Sequence, residues 1–298
     1  MTLPTFLVIG AGRSGTTSLD RYLRQHPEIY LTPRKAPSYF FCSGLGRIDD
    51  PSLWLVARNY FVPKLDDYEA LFANARPGQT TGEVSPVYLA TVHAAPEIAS
   101  LIPAAKLIAV IRSPVDRVYA RFVARHRDGL ERRPFAEVVR DDLREPLIRD
   151  VAFGTYLAAG FCSHFLQSYV DRFPPEQICV HLFDDLLADP AAVMVDLFDF
   201  LGVDSRCVVD TSTRHNRSGG VIRQPLARSL WTRTALARAA VRRYVPARAR
   251  DAVFSAFTRD LVPMPIDPKL RAELIDLYRD EVDTLGQLLG RDLSHWNA

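Results

Sequence analysis

The order of apolar and polar positions divides the chain into alternating strand-like and helix-like stretches. Phe6-Leu-Val-Ile9 is an unbroken apolar run, the mark of a strand buried on both faces. A glycine-rich turn follows, and residues 16–25 then have helical spacing, with Leu19 and Leu23 on one face. Residues 27–31 predict a second strand, 32–41 a polar and aromatic loop, and 68–75 the clearest helix of an otherwise irregular stretch from 42 to 80. Residues 83–89 predict a short strand running into a loop. Lys106-Leu-Ile-Ala-Val-Ile-Arg112 is the strongest strand signal, an apolar run closed by a charge at each end. Helices are expected at 116–126, 160–172 and 190–201, the last closed by Gly202, with a buried strand at 178–183. Residues 267–289 predict a helix with a stripe of Leu270, Leu274, Leu277 and Val282 that packs on the body. Strands alternating with helices predict a three-layer α/β/α fold on a parallel sheet, P-loop-like, as one domain over 1–298.

One stretch breaks this rhythm. Between 223 and 259 arginine recurs at 223, 228, 233, 238, 242, 243, 248, 250 and 259 among Leu, Ala, Val, Trp and Phe. It predicts a basic amphipathic helical region, interrupted at Pro246. Three roles suit it: a cover over a ligand site, a solvated basic face, or a peripheral contact with an anionic membrane or acidic substrate. The chain as a whole is near neutral, with a formal charge of +2, so nucleic acid is not an expected partner. Cys42, Cys162, Cys179 and Cys207 form no C-x-x-C pair, which predicts free thiols in a reducing compartment. The N-terminal apolar run has no basic residues before it, and no run approaches the roughly 18 apolar residues of a membrane span. A cytoplasmic location is the expectation.

The chemistry is concentrated in three places. The first is Gly10-Ala-Gly-Arg-Ser-Gly-Thr-Thr17, which has the glycine spacing of a nucleotide triphosphatase loop but carries Thr16 where that loop has lysine. Strand, glycine turn and helix N-terminus still make an anion cradle from backbone amides. Without the lysine, a single phosphate beside a transferable group suits it better than a triphosphate, with Arg13 supplying charge. The second is Arg112, at the carboxyl end of a buried strand, where open α/β sheets take their ligands. It can grip a phosphate bidentately or pair with Asp116. The third is Arg214-His-Asn-Arg-Ser-Gly-Gly-Val-Ile-Arg223, a polar loop able to close on a phosphate.

In this order the elements resemble the sulfotransferases that use 3′-phosphoadenosine 5′-phosphosulfate (PAPS), most of all the bacterial proteins related to heparan sulfate and other carbohydrate sulfotransferases. Gly12-Arg-Ser-Gly-Thr-Thr17 is similar to their 5′-phosphosulfate loop, Val110-Ile-Arg-Ser-Pro-Val-Asp-Arg-Val-Tyr119 to their 3′-phosphate motif, and Asn216-Arg-Ser-Gly-Gly-Val-Ile-Arg223 to their closing loop. Gly154-Thr-Tyr156, Phe173-Pro-Pro-Glu-Gln-Ile178, Phe183-Asp-Asp-Leu186 and Gly290-Arg-Asp-Leu-Ser294 extend the resemblance over residues 5–296. It implies that Gly12, Arg13, Ser14, Gly15, Thr16, Thr17 and Ser18 hold the phosphosulfate. It implies that Arg112 holds the 3′-phosphate with Arg217, Ser218, Gly219 and above all Arg223, and that Arg13 stabilises the leaving phosphate. PAPS would be the co-substrate, no metal would be required, and adenosine 3′,5′-bisphosphate would be released.

Three positions depart from the family pattern: Ala36 replaces a glutamate that is a candidate base, Ala120 a serine of the 3′-phosphate motif, and Val84 a lysine. Glu83 is therefore the candidate base, with a structural pairing to Lys35 or an arginine as its other reading. His126 and His215 are further options for the base, and Tyr39, Phe40 and Phe41 would line an acceptor cleft or fill core. The acceptor class stays open among small molecules, lipids and saccharides. A kinase-like or nucleotide triphosphatase enzyme and a non-catalytic nucleotide-binding descendant are the alternatives.

Overall fold

The computed structural model describes residues 3–43, 61–147, 156–212, 220–235, 237–238, 245 and 247–298. Its centre is a five-stranded sheet in the order β2-β3-β1-β4-β5. The strands are β1 (Phe6–Gly10), β2 (Ile29–Leu31), β3 (Thr80–Val84), β4 (Lys106–Ile111) and β5 (Ile178–Leu182). All four pairings are parallel. β1 lies in the middle, with Leu7 opposite Glu83 of β3 and Leu107 of β4. Successive side chains of a strand point to opposite faces, and the two apolar runs feed both. Leu7, Ile9, Leu107, Ala109 and Ile111 enter one core, and Phe6, Val8, Ile108 and Val110 the other. Gly82 lets the sheet close here, because a Cβ at that position would sit 2.3 Å from the Phe6 ring.

Among the described residues the helices are α1 (Thr16–Leu23), α2 (Tyr39–Cys42), α3 (Leu65–Glu69), α4 (Ala94–Leu101), α5 (Pro114–Arg127), α6 (Phe135–Asp142) and α7 (Cys162–Val170). They continue with α8 (Phe183–Ala188), α9 (Pro190–Leu201), α10 (Pro225–Arg233), α11 (Ala247–Thr258) and α12 (Pro268–Leu289). Flanking helices on a parallel sheet give the expected α/β layering. α9 matches its predicted bounds, with Asp189 capping its first turn and left-handed Gly202 ending it. The expected strand at 178–183 stops at Leu182, because Phe183 opens α8. The expected helix at 68–75 is instead the short α3 followed by a 3-10 turn, Ala70–Phe72.

α12 carries its stripe into the body as foreseen: Leu274 and Tyr278 pack beside α5, while Val282 and Leu285 reach the sheet core. After Gly290 the chain returns to α8, where Arg291 makes a bidentate pair with Asp185 at 2.9 and 3.0 Å and Trp296 donates to Asp184 at 2.7 Å.

The basic region forms α10 and α11 and a small antiparallel hairpin, β6 (Gly220–Ile222) with β7 (Leu261–Pro263). Trp231 anchors it: its indole donates to Asp128 at 3.2 Å, its ring packs on Phe257, and Arg238 lies 3.7 Å over it. Arg127 stacks over Phe254 of α11 at 5.0 Å. The arginine-rich helices therefore pack on the C-terminal end of α5. Among the described residues no helix is long and apolar enough to cross a membrane.

Candidate active site

β1 delivers the chain to the carboxyl edge of the sheet, where residues 11–15 turn back into α1. Ala11 N–H donates to Val110 O at 2.7 Å, so the loop is held against β4. Two residues of the turn take left-handed backbone, Arg13 (φ 73°) and Gly15 (φ 85°). Gly15 is required there by shape as well as dihedral, since a Cβ would lie 2.7 Å from Leu186 Cδ2. As the N-cap of α1, Gly15 brings no side chain to the first turn, and no acidic residue sits there. The positive end of the helix is thus left to a ligand. Ser14 is fully buried, and its hydroxyl finds no hydrogen-bond partner among the described residues. A buried hydroxyl normally has one.

Three cations meet at this loop. Arg112, at the end of β4, donates to Arg13 O at 3.4 Å, lies 4.8 Å over the Phe183 ring, and reaches Asp116 at 3.8 Å. Asp116 is held more closely by Arg271, at 2.8 Å, so the Arg112–Asp116 pairing is loose. Burial lowers the pKa of Arg112, against the pull of Asp116. Arg13 itself is held down to about 10, first by burial and then by the charges of Arg127 and Arg112, with Asp128 acting the other way. The third cation is Lys35, whose Nζ donates to Thr17 Oγ1 at 2.7 Å. Burial brings its pKa down to about 8, opposed by Asp20 and assisted by Arg21, Arg24 and Arg13.

The sequence offered Lys35 only as a structural partner of Glu83, not as part of the anion site. It arrives because β2 pairs with β3, and the loop after β2 folds back toward the start of α1. Arg24 fixes that loop by donating to Leu31 O and Thr32 O at 3.2 and 2.7 Å while pairing with Asp20. The signal that could have found Lys35 is a lysine just past a strand's carboxyl end, on the ligand edge of the sheet.

Glu83 lies on β3 beside the cradle strand, enclosed by hydroxyl groups. The residue has 0 % of its surface exposed. Oε1 accepts from Tyr68 and Tyr88 hydroxyls, both at 2.7 Å, and Oε2 from Ser85 Oγ at 2.6 Å. Burial raises its pKa against the pull of these hydrogen bonds. A general base needs to reach the proton it removes, and the contacts of this carboxylate are the three hydroxyls and the Ser38 backbone N–H. Its partners are hydroxyls, not the Lys35 or arginine foreseen. Through them it fixes the loop ahead of α2: Ser85 Oγ accepts from Ser38 N–H at 3.0 Å, Tyr88 Oη from Phe40 N–H at 3.4 Å, and Tyr39 stacks on Tyr68.

The remaining expectations divide. Ala36 and Ser38 both have φ 53°, and Ala36 N–H donates to Val84 O at 3.2 Å. Ala120 is buried on α5. Phe40 and Phe41 are core, while Tyr39 is half-buried. His126 stacks on Phe122, with ring centroids 5.6 Å apart. Arg223 stands at the end of β6 in an exposed ion pair with Asp260 at 2.9 Å. Arg217, Ser218 and Gly219 lie outside the described residues, as do His215, Gly154 and Thr155.

Comparison with known proteins agrees with this layout. A family model described as "Sulfotransferase family" matches residues 4–206. The human bifunctional heparan sulfate N-deacetylase/N-sulfotransferase 3 is 30 % identical over 208 residues, covering 67 % of this chain and 22 % of the relative. Human heparan sulfate glucosamine 3-O-sulfotransferase 3B1 is 27 % identical over 222 residues, covering 73 % of this chain and 50 % of the relative. The chain thus spans between about a fifth and a half of these relatives' lengths. A sulfotransferase from Alicyclobacillus acidocaldarius superposes over the whole of both chains with TM-score 0.73 and 27 % identity. A mouse sulfotransferase complexed with PAP shares the fold, with TM-score 0.53 and 14 % identity over 96 % of this chain and 87 % of that one.

Proposed function

The chain belongs to the sulfotransferase family, and from that premise we propose that it moves the sulfuryl group of PAPS onto a hydroxyl or amine by in-line attack. The observation that carries the proposal is a convergence of like charges on one loop. Ser14 has a buried hydroxyl without a partner among the described residues, α1 has no side-chain cap, and Arg13, Arg112 and Lys35 gather there against the cost of burial. Such an arrangement is costly in the free protein and is relieved by a polyanion. PAPS, when bound, supplies an activated sulfuryl group next to a 5′-phosphate.

In this reading amides of the loop from Gly12 to Thr17, with the side chains of Ser14, Thr16, Thr17 and Ser18, hold the phosphosulfate. Arg13 and Lys35 face the bridging oxygen, where negative charge grows as the bond to sulfur breaks. Stabilising charge where it develops is the largest lever available to such a site. Lys35 also fixes the Thr17 hydroxyl. Arg112, backed by the Phe183 ring, grips the 3′-phosphate, assisted by Arg223 and by Arg217, Ser218 and Gly219. The leaving electron pair ends on the phosphate oxygen and gives adenosine 3′,5′-bisphosphate. Group transfer through a loose transition state forms little bond to the nucleophile. A strong base therefore matters less than the cations, which fits Ala36 and a Glu83 that positions the acceptor-side loop. The activities named for the relatives make saccharide hydroxyls and amines the first acceptors to try.

The test is incubation with radiolabelled PAPS and a panel of saccharides, lipids and phenols, following label and bisphosphate together. Label transferred to an acceptor with equimolar bisphosphate is the expected result. Absence of transfer to every acceptor, together with no bisphosphate formed, would sink the catalytic reading.

A further inference from the structure

The sheet carries a second cluster of chemistry-bearing side chains, on its other edge. Cys179 and His181 are two residues apart on β5, so they point to the same face. That face is covered by α9, which places Asp196 against them. Cys179 Sγ, one imidazole nitrogen of His181 and one carboxylate oxygen of Asp196 all lie within 4.8 Å of one another. The two closest approaches are His181 Nε2 to Asp196 Oδ2 at 2.8 Å and Cys179 Sγ to the same oxygen at 4.0 Å.

The His181–Asp196 contact has an unusual feature. Nε2 is buried and close to the carboxylate, yet it makes no aligned hydrogen bond there. A nitrogen and an oxygen this close without an aligned hydrogen bond between them suit two ligands of one ion. In a tetrahedral zinc site the bond lengths to sulfur, nitrogen and oxygen put ligand atoms roughly 3.3–3.6 Å apart. The two separations to the Asp196 oxygen bracket that range, and the 63 % exposed Asp196 side chain is free to adjust toward both. His181, at 13 % exposure, and half-buried Cys179 are set by the strand.

We propose that Cys179, His181 and Asp196 form a binding site for a divalent cation of the zinc class, with water or a further ligand completing the coordination. One thiolate, one imidazole and one carboxylate favour Zn²⁺ over Mg²⁺ or Ca²⁺, which take oxygen ligands. The ion would clip the edge strand β5 to α9. It would lie two residues before Phe183, whose ring supports Arg112. This metal is structural and separate from the transfer chemistry, so the site stands or falls independently of the proposed activity.

Cobalt(II), a spectroscopic stand-in for zinc, tests it on the full chain. Titration of the metal-stripped protein is expected to give a thiolate-to-cobalt charge-transfer band that saturates at one equivalent and is bleached by zinc. Cys179→Ala removes the band, and Cys207→Ala, at the other half-buried thiol, leaves it. Asp196→Asn changes an exposed side chain and keeps the fold, and it is expected to weaken cobalt binding by roughly tenfold or more. Zinc raises the melting temperature of the wild type and not of Asp196→Asn. No charge-transfer band, or one that persists in Cys179→Ala, overturns the proposal. So does zinc stabilisation that Asp196→Asn retains.

Discussion

β1 and β3 are neighbours, and each ends at the ligand edge of the sheet, yet the two ends are built on opposite principles. At the end of β3 a single buried carboxylate, Glu83, meets three hydroxyls at 2.6–2.7 Å. At the end of β1 cations gather beside a buried hydroxyl with no partner among the described residues, and burial lowers the pKa of Arg13 and Lys35. A buried charge alone does not mark a working site. The informative feature is the company it keeps. Glu83 meets hydroxyl donors and holds its surroundings in place, while at the β1 loop like charges crowd a buried hydroxyl that has no partner among the described residues, which an anion would relieve.

Substitutions can break this contrast. Arg13→Ala should have the largest effect, a fall in turnover of roughly 10²–10³-fold, typical of losing one donor to a developing oxyanion. Its melting temperature should hold or rise, because burial and the nearby Arg127 and Arg112 already oppose the charge. A lower melting temperature with turnover intact would make Arg13 structural. Lys35→Ala should lose about tenfold or somewhat more, as a second cation at the same oxygen.

Lys35 also sets a pH dependence. With its pKa near 8 in the free protein, the ammonium is lost above that value. Bisphosphate affinity should therefore fall as pH rises past about 8 in the wild type and stay flatter in Lys35→Ala, as titration calorimetry would show. The sign for stability is the reverse. The folded pKa lies below the ordinary 10.5, so the unfolded chain binds more protons between those values. Lys35 then makes the unliganded protein more stable as pH climbs through that window.

Glu83→Gln should do the opposite of Arg13→Ala. An amide cannot accept from all three hydroxyls, so unfolding free energy should drop by about 1–3 kcal/mol. Turnover per folded molecule should change by less than roughly threefold, since no transition-state contact is lost. A large fall in turnover at unchanged stability would restore Glu83 as the base. Arg223→Ala should have the smallest effect on the free protein, within about 0.5 kcal/mol, because its pair with Asp260 is exposed. If it weakens bisphosphate binding more than Arg112→Ala does, the 3′-phosphate lies nearer β6 than β4.

The sequence exposed what depends on local pattern. The apolar runs of β1 and β4, the glycine turn, Arg112 at a strand end and the bounds of α9 all follow from neighbouring residues. The sheet order is not local, and everything it determines was hidden. Lys35 meets Thr17 across 18 positions only because β2 lies beyond β3. Glu83 draws a partner from Tyr68, 15 residues before it, in a stretch without a clear periodic signal. The carboxylate was visible, but its saturation by hydroxyls was not. The Cys179–His181–Asp196 cluster was missed for the same reason: a C-x-H pair on a strand says nothing until the facing helix is placed. The hairpin of β6 and β7 has strands of three residues each, too short for an alternating pattern to stand out.

The central claim is that the β1 loop and Arg112 form the nucleotide site while Glu83 does not touch it. Titration calorimetry of adenosine 3′,5′-bisphosphate, against ATP with magnesium and AMP, tests this directly in the wild type, an Arg13→Ala/Arg112→Ala double variant and Glu83→Gln. The account predicts one bisphosphate per wild-type chain, little response to ATP with magnesium, near-complete loss in the double variant and retention in Glu83→Gln. Binding that survives the double variant, or a preference for ATP with magnesium, would contradict it.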